Sequence, residues 1–149
     1  MQFLMSPESE QVYTRVILPN NEADVLLDAI EHLHTDRADL FDAHFGEETN
    51  MPAAVAYAGL RNRTRLPETE IKYTERQTPF LKSLLIAVQE HTLTLGLEAM
   101  DRTQEGKRVP RALRRHVRLL AGMTRQLMAE VQVSELYEEI NQYERLGLL

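Results

Sequence analysis

The sequence contains no cysteine and no tryptophan. Without cysteine there is no disulfide, no thiolate nucleophile, no iron–sulfur cluster and no cysteine-ligated zinc. Serine is scarce: Ser6, Ser9, Ser83 and Ser134. None of the four lies in a G-x-S-x-G turn, so the hydrolase nucleophile elbow is missing. Gly106-Lys107 lacks both the earlier glycine and the following Ser/Thr of a phosphate-cradling loop, and no dinucleotide fingerprint occurs. Long apolar runs are missing too. The longest, Phe80 to Val88, is interrupted by Lys82 and Ser83, far short of the roughly 18 residues that a membrane span needs. Met1–Glu10 has no basic segment of the kind that opens a secretory leader. These absences point to a cytoplasmic protein with no membrane partner.

What is there reads as globular. The 149 residues are 43% hydrophobic and 27% charged. One domain spanning 1–149 is the expectation, and a chain of that size buries roughly 70% of its unfolded surface without staples. Residues 1–12 read as a flexible arm. Tyr13–Leu18 is β-branched and ends at Pro19, which suggests a short strand. Val25, Leu26, Ala29, Ile30 and Leu33 then recur at helical spacing, predicting a helix over 21–34 capped by Asn20 or Asn21. Asp36 and Asp39 have the spacing of a capping box for a helix over 37–45, with Gly46 as a left-handed stop. Asn50 and Pro52 open a third helix that ends near Gly59. Ile71 and Tyr73 could pair with Val16 and Leu18 as a second strand. Each of these strands precedes an amphipathic helix, a faint repeat at an offset of 55 residues.

Thr78-Pro79 reads as a cap and first residue of a long helix over 79–101. Pro110 starts another over 110–132. A polar link containing Gly106 joins them, so 79–132 is predicted to form an antiparallel αα-hairpin. Ser134 caps a last helix within 134–146 that ends at Gly147. The fold class expected is mainly α: an antiparallel helical bundle built on the hairpin, with a small two-stranded element at one edge.

Charge is unevenly spread. Residues 1–60 carry 11 acidic and 2 basic side chains, residues 61–126 carry 7 and 14, and residues 127–149 carry 5 and 1. Within the basic block, Arg111, Arg114, Arg115, Arg118 and Arg125 share one sector of a helix, with Gly122 among them. Leu113, Val117, Leu120, Leu127 and Val131 lie opposite. Lys107 and Arg108 extend the stripe toward the helix N-terminus, where the macrodipole disfavours cations. Helix stability alone therefore does not account for it. Three uses compete: a solvated face, a match for the acidic N-terminal half within one molecule or across a dimer, and contact with phosphate backbone. Arg61, Arg63 and Arg65 form a second basic patch.

Other constellations are weaker. His32, His34, Asp36, Asp39, Asp42 and His44 cluster within thirteen residues. His32 and His34 diverge on a helix, however, and Glu31–His34 is the only Glu-x-x-His pair, where a di-iron bundle needs two. Glu47-Glu48 and Glu138-Glu139 are adjacent and splay apart rather than share a proton. The tail from Val133 has the outline of a DNA-recognition helix. Its carboxylates Glu135, Glu138, Glu139 and Glu144 would repel phosphates, so an amphipathic helix docked on the bundle or on a second copy is expected. No catalytic, cofactor or metal residues are assigned. The sequence points to a non-enzymatic interaction or regulatory protein that self-associates, or binds an acidic protein partner, through the arginine-lined helix. A nucleic-acid accessory protein using the same stripe is the alternative.

Overall fold

A computed structural model describes residues 1–8, 11–63, 68–74 and 78–148. Its elements follow the order β1 (Gln2–Glu8), β2 (Gln11–Pro19), α1 (Asn20–Asp36), α2 (Ala38–Phe45), α3 (Met51–Arg61), β3 (Glu68–Thr74), α4 (Thr78–Gln104) and α5 (Arg111–Arg145). The described residues are mainly helical, with a small antiparallel sheet of order β1-β2-β3.

The sheet has three strands where two were expected. Residues 2–8 are not a free arm: Phe3 pairs with Val16 and Pro7 with Val12. Pro7 and the polar neighbours hide this strand in the sequence, yet β1 is an edge strand, where a residue without an N–H is tolerated. The expected second pairing is present, with Val16 opposite Ile71. Alternation then decides the faces. Val16, Leu18 and Ile71 are buried, while Arg15 and Ile17 look outward.

The buried sheet face meets Val25, Leu26, Ala29, Ile30 and Leu33 of α1. Phe80, Leu81, Leu84, Ala87 and Val88 of α4 extend this core, as do Leu120, Met123, Leu127 and Val131 of α5. α4 and α5 pack closely. The chain turns at Gly106, whose φ of 71° suits a residue without Cβ, and Lys107 N–H closes the turn onto the Arg102 carbonyl at 2.8 Å.

Several helix ends differ from expectation. α1 starts at Asn20 with no side-chain cap, and the Met1 amino group pairs with Glu22 in its first turn. Asp36 does not cap α2. It bonds His32 Nδ1 at 2.9 Å. Gly46 is extended rather than left-handed, at φ −70°. It is needed for space, since a Cβ there would stand 2.6 Å from the Asp42 carbonyl oxygen. Asn50 does cap α3, accepting from Ala53 N–H at 3.3 Å.

The largest correction concerns the last helix. No break separates 110–132 from 134–146; α5 is one helix of 35 residues, about 52 Å long at 1.5 Å per residue. Ser134 is buried inside it, 2.6 Å from Thr78 Oγ1. Thr78 in turn donates to Glu138 at 2.5 Å. The two expected caps thus bond each other across the α4–α5 contact, and nothing in Val131–Val133 interrupts a helix.

Candidate interaction surface

The amphipathic logic of α5 sets the surface. Leu120, Met123, Leu127 and Val131 bury one side. At 100° per residue this places Arg111, Arg114, Arg115, Arg118 and Arg125 on the opposite side, and all five are exposed. Among the described residues none of the five makes an ion pair or side-chain hydrogen bond. Of the extensions, Lys107 pairs with its neighbour Glu105 at 3.0 Å, and Arg108 is exposed in the linker.

Among the described residues, no carboxylate of the acidic N-terminal half pairs with this stripe. Asp24 and Asp28 are exposed on α1, with Asp24 ion-paired to Arg63. Asp28 lies 3.7 Å from His116 Nε2, on the inner flank of α5. Arg37, the other basic residue of the first 60 with Arg15, bonds Glu90 at 3.1 Å.

The second basic patch is placed elsewhere. Arg61 lies over the Tyr57 ring, 5.2 Å from its centroid. Arg63 is held by Asp24 and donates to the Leu60 carbonyl at 3.0 Å. Arg65 lies outside the described residues. Arg63 borders a groove of about 800 Å³ between α3 and the sheet, lined by Ile17, Val55, Leu60 and Ile71. Its rim is charge-neutralised, because Arg15 bonds Glu70 at 2.6 Å and Arg63 pairs with Asp24. No single stretch of sequence signals this groove; it exists only where α3 crosses β2 and β3.

The histidines disperse and regroup. His34 packs tilted against Phe41 with centroids 4.4 Å apart, and His44 lies 3.4 Å from Ser83 Oγ. His32 instead meets His91 of α4 at 5.1 Å. Burial pushes the His91 imidazole below its ordinary pKa, and the charges of His32 and His116 push it the same way. Among the described residues, no three or more His, Asp or Glu side chains are grouped to hold a metal.

The C-terminal third of α5, expected as a separate helix, exposes apolar side chains among its glutamates. Leu136, Tyr137 and Tyr143 are 56%, 47% and 40% exposed. Gly147, at φ 71°, ends the helix, with Leu148 N–H bonded to the Tyr143 carbonyl. No helix of the described residues is long and apolar enough to cross a membrane. Comparison with protein-family models, curated proteins and solved structures finds no match.

Proposed function

We propose that the chain is a non-enzymatic interaction or regulatory protein whose contact surface is the arginine-lined outer face of α5. It acts by self-association or by binding an acidic protein partner. The α4–α5 pair is read as an antiparallel hairpin that carries a helical bundle and holds this face outward. One observation supports the reading above others. Five guanidinium groups stand on one side of an unbroken helix, exposed, with no carboxylate partner among the described residues. Guanidinium groups match carboxylates in forked pairs, and the described residues leave these five unmatched. Nucleic acid is the less favoured partner. Arg63 of the second patch is already paired, and the exposed Glu135, Glu139 and Glu144 farther along α5 would repel phosphates.

The test is a triple variant, Arg114→Gln, Arg115→Gln and Arg118→Gln, compared with the wild-type chain. Binding of a fluorescent polyglutamate peptide and of a generic DNA duplex is titrated at low and high salt, and mass is followed by light scattering. The proposal expects self-association or peptide binding that weakens with salt and is lost in the variant. A wild-type chain that is monomeric and binds no peptide overturns it. Duplex binding without either would move the assignment to nucleic acid.

A further inference from the structure

The outer face of α5 does not end at Arg125. Steps of three and four residues run from Arg111 through Arg115, Arg118, Gly122 and Arg125 to Ala129, and from Leu136 through Ile140 to Tyr143. That spacing is the seam of a coiled coil. Its first half is cationic. Its second half is apolar, with Val133 45% and Leu136 56% exposed. Glu139 and Glu144 flank the apolar half, both exposed. Glu139 accepts the Tyr143 hydroxyl at 2.6 Å.

We propose that this face pairs antiparallel with the same face of a second copy, with the two-fold axis beside Ala129. The inference rests on the arginine face being a contact surface, and it names the occupant. Charge decides the direction. A parallel pair in register would set each arginine against its own copy. An antiparallel pair sets the cationic half of one helix against the apolar and acidic half of the other.

The register follows from symmetry, because residues equally far from Ala129 on either side face each other. Ala129 lies near the middle of the 35-residue helix, so almost the full length overlaps. Gly122 and Leu136 each lie seven residues from Ala129, about 10 Å along the axis. Leu136 of one copy then enters the gap at Gly122 of the other, where no atom lies within 4 Å of a Cβ position. Arg118 comes level with Glu139 and Ile140, and both Arg118 and Glu139 lie to the same side of the seam. Arg115 comes level with Tyr143 and Glu144, and Arg114 with Tyr143. Symmetry makes each pairing twice, so forked ion pairs and cation–π contacts bracket a centre of Gly122, Ala129, Val133 and Leu136, in which Arg125 comes level with Val133. Other occupants fit less of this surface. A purely acidic partner would leave Leu136 and Ile140 uncovered, and nucleic acid would bring phosphates against Glu139 and Glu144.

The absence of cysteine makes the test direct. Ala129→Cys and Arg111→Cys are made separately in the full chain and oxidised mildly, with wild-type mass followed by sedimentation. The proposal expects a dimer in which Ala129→Cys forms a disulfide across the axis. Arg111→Cys stays unlinked, since its two copies would stand about 54 Å apart. Cross-linking of both variants means a parallel pair and overturns the proposal. A dimer in which neither links means another interface and does the same. A monomeric wild-type chain also overturns it, and the polyglutamate titration then separately decides whether the arginine face binds anything. Leu136→Glu checks the centre and is expected to give a monomer with an unchanged helical circular-dichroism spectrum.

Discussion

Leu120 on α5 offers the sharpest stability contrast. Its side chain is 0% exposed, in a core shared with α1, α4 and the sheet. Leu120→Ala leaves a cavity there, and buried Leu→Ala changes cost roughly 3–5 kcal/mol, the transfer loss plus the cavity. Against a total of roughly 5–15 kcal/mol, that is a large fraction. It corresponds to a fall in melting temperature of roughly 6–12 °C at the low end of the cost. Gln126 lies six residues on and is exposed. Gln126→Ala changes no packing and slightly improves helix propensity, so it should stay within about 0.5 kcal/mol. Urea unfolding followed by circular dichroism, at one protein concentration, measures both. A cost below about 1 kcal/mol for Leu120→Ala, or a larger cost for Gln126→Ala, would refute the assignment of faces on α5.

Three further outcomes follow from single positions. Gly46→Ala should cost about 1–3 kcal/mol in urea unfolding, because the new methyl meets the Asp42 carbonyl oxygen. Gly96→Ala, mid-helix with no atom within 4 Å, should stabilise by about 0.5–1 kcal/mol. Ser134→Ala should cost about 1 kcal/mol by the same measurement, through loss of the bond to Thr78. His91 gives a pH dependence. Its folded pKa lies below the ordinary 6.5 because burial disfavours the charged ring. The unfolded chain therefore takes the proton first. The stability contributed is full above pH 6.5, and it declines as pH falls through the lower folded value. His91→Leu should flatten that decline in urea midpoints measured across this range; a steeper decline would contradict the sign.

How legible the molecule is from its sequence depends on where the deciding partner lies. The two faces of α5 are written in local spacing, so the buried leucines and the exposed arginines can be placed without coordinates. The β2–β3 pairing is legible because Val16 and Ile71 each sit in β-branched or aromatic surroundings. β1 is not, since Pro7 argues locally against a strand and only the neighbouring β2 makes an edge position available. Thr78 and Ser134 look like helix caps because hydroxyls beside helical patterns usually are. Their bond to each other joins residues 56 apart, which local reading does not reach. Splitting α5 at Ser134 also concealed that Leu136, Ile140 and Tyr143 continue the face of the arginines. The meeting of His32 with His91 is hidden in the same way, since it draws its residues from two helices.

The most direct test of the account is a charge-exchange cycle on α5, read by sedimentation equilibrium. Arg118→Glu and Glu139→Arg should each weaken self-association, because each sets like charges against one another across the axis. The double variant restores opposite charges at every pairing and should associate as the wild-type chain does. A double variant that remains as dissociated as the weaker single variant would contradict the pairing.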